Sequence, residues 1–241
     1  MSLLDNAVEV PRKTMVLFFL IDTSKSMTGS SIAQVNDAMR EILPDLNDIS
    51  KENADAKIKI AVLSFSSGCE WITVSPEELD SFKWSNLNAE GITDLGAACE
   101  ELNSKLDKRA FLNDTVGNYA PVIILITDGL PTDDYMSGIE TLRKNKWFKH
   151  AIKIALGVED ANMEVLEEFT GNVETAIYLS DKSQLKKLIK FISIRSSQVG
   201  SSKDGSTPES AKDRQDEVAR DIKEFMEDLG EDDSVDEGWG D

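Results

Sequence analysis

The chain reads as an α/β fold, a mostly parallel central sheet with one antiparallel edge strand and helices on both faces. Three observations predict it. Strand-like apolar runs recur from residue 14 to residue 180, and segments with helical apolar spacing lie between them. Most of the runs are continuously apolar rather than alternating, as strands covered on both faces must be.

Taken in order, "TMVLFFLI" (14–21) is the first strand. Ile32, Val35, Met39, Ile42 and Leu43 then recur at helical spacing. "IKIAVLSF" (58–65) is the second strand, and "EWITV" (70–74) follows too closely for a crossover helix, so this pair is predicted to be an antiparallel hairpin at a sheet edge. Leu95, Ala98, Cys99, Leu102 and Leu106 mark the next helix, before the strand "PVIILIT" (121–127). Ile139 and Leu142 mark a shorter helix, "IKIALGV" (152–158) a strand, and Met163, Leu166 and Phe169 another helix. "AIYLS" (176–180) and the stripe Leu185, Leu188, Ile189, Ile192 close the series. No internal repeat is visible.

These elements define a domain over 12–196. A Ser/Gly-rich stretch at 197–207 reads as a linker, and 208–241 as an acidic tail. Within the tail Thr207 is placed to cap a helix over 208–229, with Pro208 in its first turn and Gly230 as its stop. Val218, Ile222, Phe225 and Leu229 form its apolar stripe, which either docks on the body or folds against a partner. The last stretch, including Trp239, is expected to be disordered.

Charge narrows the function. The net formal charge is −19, and from Ser201 onward 15 acids face 5 bases. Binding to nucleic acid or to anionic membranes wants clustered Lys and Arg, so both are set aside. The apolar run after Arg12 and Lys13 imitates a signal peptide but is short, meets Asp22 and lacks a small-residue cleavage site. No stretch approaches the ~18 apolar residues of a membrane span. Cys69 and Cys99 are expected to be buried free thiols in a reducing compartment. The expected location is cytoplasmic.

Three loops expected at the carboxyl edge of the sheet, where open parallel sheets bind ligands, carry unusual residues. Asp22, Ser24 and Ser26 follow the first strand, Thr93 and Asp94 precede a helix in "EGITDLGAA", and Asp128 ends a strand in "LITDGLPTDD". Carboxylates and hydroxyls without His or thiolate are hard oxygen ligands, suited to Mg²⁺, with Mn²⁺ or Ca²⁺ as alternatives, rather than to zinc or copper. Asp94 is expected to cap its helix or to act as an acceptor behind the site, Asp133 and Asp134 to cap the next helix, and Lys25 to face solvent. His150, the single histidine, lies in no cleft motif and is given a structural role.

The Asp22-x-Ser24-x-Ser26 pattern, Thr93 in "GITDLGAA" and Asp128-Gly129 after an apolar strand resemble the metal-ion-dependent adhesion site of von Willebrand factor A (VWA) domains. The resemblance covers about residues 12–196. Among such proteins the chain is similar to the bacterial TerY-like ones associated with tellurium resistance and stress, often encoded beside kinase-like and phosphatase-like partners; unlike some of these it has no cysteine-rich zinc module. The resemblance implies a Rossmann-like domain that binds a metal for recognition, not catalysis. Ser24, Ser26 and Thr93 would contact the ion, with Asp22 and Asp128 close by, and a partner would supply an acidic side chain.

The function expected is a divalent-metal-dependent protein-interaction module, a cytoplasmic adaptor or scaffold in a stress or defence system, and not an enzyme. The rival is a Mg²⁺-dependent phosphatase of the haloacid-dehalogenase type, which needs a second acid where this chain has Ser24. A structural subunit with an unused metal site is the third reading. The flexible acidic tail is also long enough to offer its own carboxylate to the site.

Overall fold

An uninterrupted apolar run becomes the centre of the sheet. The computed structural model describes residues 11–158, 161–179, 181–201 and 208–235, leaving aside the side chains of 182, 208–210 and 230–235. Its seven strands are β1 (Lys13–Asp22), β2 (Ala56–Ser66), β3 (Gly68–Trp71), β4 (Glu77–Glu78), β5 (Val122–Thr127), β6 (Ile152–Val158) and β7 (Ala176–Leu179). They lie in the order β3-β2-β1-β5-β6-β7, with β4 also on β2. All pairs from β2 to β7 are parallel, and β3 and β4 are antiparallel to β2. Met15 to Ile21 are fully buried on both faces, which explains why that run does not alternate.

The helices are α1 (Ser30–Glu52), α2 (Leu95–Lys105), α3 (Tyr135–Lys144), α4 (Lys146–His150), α5 (Met163–Thr170), α6 (Leu185–Gly200) and α7 (Pro208–Val235). One face of the sheet packs Met15, Leu17, Phe19 and Ile21 against the stripes of α1 and α6. The other packs Val16, Phe18 and Leu20 against α2, α3 and α5. The chain leaves β1 to β2 on one side and returns to β5 on the other, so the switch in strand order falls between β1 and β5. Because Ile21 is level with Ile126, Asp22 and Asp128 leave the sheet side by side.

Four expectations are corrected. The segment 70–74 is strand only to Trp71; Thr73 turns inward, its Oγ1 accepting a 3.0 Å bond from Val62 N, and β4 takes the next pairing sites on β2. The supposed linker is helical through Gly200. Ser193 and Ser197 donate back to the carbonyls of Ile189 and Ile194, both at 2.7 Å, so their hydroxyls are satisfied within α6. Gly200 also lies so near the sheet that a Cβ would meet Met15 Sδ at 2.8 Å. Cys69 is exposed, because β3 is an edge strand, whereas Cys99 is buried and burial pushes its thiol pKa up. Finally, the tail helix passes Gly230 and continues to Val235. Thr207 and Trp239 lie outside the described residues.

Of the two fates open to the tail stripe, docking is the one taken. Val218 and Ile222 are buried, Phe225 stacks on Phe191 with centroids 4.1 Å apart, and Arg195 bonds Glu217 at 2.9 Å and also Asp221. Gln215 donates to Thr175 Oγ1 at 2.9 Å. Over 211–229 the tail is therefore a packed helix rather than a free coil.

Candidate metal centre

Asp22 organises the first loop. Its Oδ1 accepts the backbone N–H of Ser24 at 2.7 Å, turning the chain directly after the strand, and its Oδ2 accepts Thr127 Oγ1 at 2.6 Å. The turn brings Ser24 Oγ within 2.9 Å of Ser26 Oγ, and Ser26 donates to Asp128 Oδ1 at 2.7 Å. Burial is the largest influence on Asp22 and pushes its pKa up; the bonds from Thr127 and Ser24 act the other way.

The second loop is stapled to the first by two backbone bonds, Glu90 N to Thr23 O at 2.7 Å and Lys25 N to Gly91 O at 3.1 Å. Gly91 has φ +83°, a conformation that favours glycine. Thr93 follows, held from the third loop by Thr132, whose N–H donates to Thr93 O at 2.8 Å. The glycine of the third loop shows how the three converge. A Cβ built on Gly129 would lie 3.1 Å from Thr93 Oγ1, 3.4 Å from Ser26 Oγ and 3.7 Å from Asp22 Oδ2. One point beside the third loop thus faces oxygens from the first two, and the missing side chain at 129 leaves it open.

All five residues singled out in the sequence, Asp22, Ser24, Ser26, Thr93 and Asp128, are brought together. Four are buried and Ser26 is exposed, which puts the opening at the first loop. Lys25 is exposed beside it. Asp94 occupies the N-cap position of α2 but does not cap it; its carboxylate accepts Gly68 N at 2.8 Å and Thr132 Oγ1 at 3.2 Å. The cap comes from Asp133, whose two oxygens accept the N–H groups of Gly96 and Ala97 at 2.9 Å each. Asp134 caps α3 as expected. His150 lies at the opposite edge of the sheet, lining a cavity there.

Sequence reasoning missed Thr127, the space-leaving role of Gly129, and Thr132. Thr127 had a local signal, as the one hydroxyl residue ending an otherwise aliphatic strand. The other two act only across loops. Among the described residues no three His, Cys, Asp or Glu side chains cluster, so the centre is two carboxylates and three hydroxyls. That set is hard, low in charge, and suits a divalent cation that prefers oxygen.

Comparison with known proteins agrees with this fold. The von Willebrand factor type A domain profile matches residues 17–191. A von Willebrand factor type A structure from Catenulispora acidiphila aligns at TM-score 0.55 and 15% identity, covering 76% of this chain and 42% of its own. Proximal thread matrix protein 1 from the mussel byssus, described with a zinc-occupied MIDAS motif, aligns at TM-score 0.58 and 17% identity over 74% of this chain and 47% of its own. The vWF domain of the type V pili tip protein Mfa5 from Porphyromonas gingivalis aligns at TM-score 0.60 and 8% identity over 82% and 99%. The chain therefore spans less than half the length of the first two. No curated protein matches it. No helix among the described residues is long and apolar enough to cross a membrane. With the profile covering most of the chain and the fold shared, the chain belongs to the von Willebrand factor type A domain family.

Proposed function

We propose that this domain is a Mg²⁺-dependent protein-interaction module in which Asp22, Ser24, Ser26, Thr93 and Asp128 hold the cation and an acidic side chain of a partner completes its coordination. The observation that carries this reading is the point before Gly129, faced by oxygens of Thr93, Ser26 and Asp22 at 3.1–3.7 Å. Bound there, the cation supplies an electrophilic contact for a carboxylate, since hydroxyl ligands leave most of its charge uncompensated. The chain's own residues do the rest. Thr127 and Ser24 orient Asp22, and Ser26 ties the first loop to Asp128.

The surroundings extend the reading. Ile92 and Leu130, next to Thr93 and Gly129, are 53% and 60% exposed. A partner acid flanked by apolar side chains fits such a surface. The resemblance to TerY-like proteins supports a role as adaptor in a bacterial stress response, with kinase-like and phosphatase-like proteins as partners and a cytoplasmic location. The phosphatase reading is disfavoured because Ser24 stands two residues after Asp22, where that chemistry needs a general acid.

Pull-down from a bacterial extract tests the proposal, using wild type, Thr93→Ala and Leu130→Asp in Mg²⁺ and in EDTA. Partners are expected on the wild type in Mg²⁺ alone. Retention unchanged by EDTA and by Thr93→Ala contradicts the proposal, and Mg²⁺-dependent phosphate release abolished by Asp22→Asn would favour the phosphatase instead.

A further inference from the structure

The opposite edge of the sheet carries a second feature, independent of the metal centre. In a chain of net charge −19, several bases meet acids: Lys57 and Lys59 share Glu78, Lys186 pairs with Glu41, Lys190 with Asp45 and Arg195 with Glu217. Lys13, Lys108, Arg109 and Lys146 are instead gathered around one space. Among the described residues none of the four is ion-paired, yet they line one cavity of about 850 Å³ together with Tyr119 and Trp147. Such a volume suits a small molecule.

The cavity is built from fixed pieces. Asn145 binds the end of α2 through Asn103 Oδ1 and Leu106 O, at 3.0 and 3.1 Å, and its own Oδ1 accepts Trp147 N at 2.8 Å. This sets Lys146 and Trp147 against the turn that carries Lys108 and Arg109. On the other side Thr14 N bonds Gly117 O and Tyr119 N bonds Thr14 O, at 3.0 and 2.8 Å, fixing Tyr119 beside β1. Lys13 Nζ lies 5.5 Å from the Tyr119 ring centroid, so this ammonium is held over an aromatic face instead of by a carboxylate. The acid in the lining, Asp107, is engaged by the N–H of Arg109 at 2.8 Å. Asn118 lines the same cavity.

Four cations line one volume, an arrangement that a polyanion suits. Several cations around one volume match several phosphate charges, and the aromatic walls match a planar ring, which stacks on such side chains. We propose that this cavity binds a small polyanion carrying an aromatic ring, in chemical class a nucleoside polyphosphate. Lys13, Lys108, Arg109 and Lys146 face the phosphates and Trp147 the ring.

Titration calorimetry on the full chain in EDTA, which silences any metal centre, tests this with ATP and with inorganic tripolyphosphate. Lys149→Glu is the control, because Lys149 lies on the same short helix but lines a different cavity. The expected result is saturable ATP binding, at least tenfold weaker in Arg109→Glu and in Lys146→Glu, within about twofold of wild type in Lys149→Glu, and severalfold weaker as salt rises from about 50 to 300 mM. Tripolyphosphate is expected to bind more weakly than ATP. Absence of ATP binding at millimolar concentration overturns the proposal. An equal loss in Lys149→Glu overturns it as well, by reducing the effect to net charge. Tripolyphosphate binding as tightly as ATP overturns the assignment of the ring.

Discussion

Lys153 shows how far one buried group can set the behaviour of this domain. It lies near the start of β6, its ammonium donating to Ala151 O at 3.1 Å, and burial pushes its pKa down to about 8. In the unfolded chain the group keeps its proton up to about pH 10.4. Between these two values the unfolded state binds more protons, so stability rises with pH there; below pH 8 both states are charged and the penalty of burying the charge is fully present. Lys153→Met is therefore expected to be more stable than wild type at pH 7 by about 1–2 kcal/mol, with the gap closing toward pH 10. Urea unfolding of both proteins at pH 7, 8.5 and 10 checks this, and a gap constant with pH contradicts it. At the same scale, the five residues that the fold brings together were legible as candidates because each is a polar residue at a strand exit or helix entry, positions that local sequence marks. Thr132 and the role of Gly129 were not, since holding Thr93 and leaving a space are relations between loops that only the folded chain creates.

At the scale of elements, the site depends on how closely α2 and α3 approach. A Cβ on Gly138 would meet Gly96 O at 2.8 Å and Cys99 Cβ at 2.9 Å, so the two helices touch through glycine. The same contact lets Asp133 reach the N-terminus of α2, tying the Thr93 loop to the Asp128 loop. Gly138→Ala is expected to cost about 1–3 kcal/mol by forcing the helices apart, and to weaken metal binding although it lies outside the centre. Thermal unfolding and metal titration of this variant check both effects. On the far side of the molecule, Phe225→Ala removes the ring stacked on Phe191 and should cost about 2–3 kcal/mol for a partly buried aromatic, with hydrogen exchange in α7 rising more than in β1. Long strands and helices were legible from their apolar periods. The two-residue β4 and five-residue α4 are too short to show a period, and the end of α6 was misread because serine and glycine also compose linkers. In α6 those serines bond to carbonyls one turn back, and the glycine closes against the sheet.

For the whole molecule, the topology explains why one edge carries the centre. Strand order switches between β1 and β5, so the loops leaving them diverge and open a crevice at their carboxyl ends. The parallel sheet, with helices on both faces, was legible because continuous apolar runs and helical stripes alternate along the chain. Whether the acidic tail docks was not, because its stripe fits the body and a foreign surface equally well; the contacts of Phe191, Arg195 and Thr175 decide it. Within the family, the point before Gly129 is the feature that the functional account depends on most. Gly129 does not have a positive φ, so alanine fits the backbone there and fills the space between Thr93, Ser26 and Asp22. The most direct measurement is calorimetric titration of Mg²⁺ and Mn²⁺ into wild type and Gly129→Ala, with their metal-free melting temperatures compared. The account predicts one saturable divalent site in the wild type and its loss in Gly129→Ala, at metal-free melting temperatures within a few degrees of each other. Equal metal binding by the two proteins would contradict it.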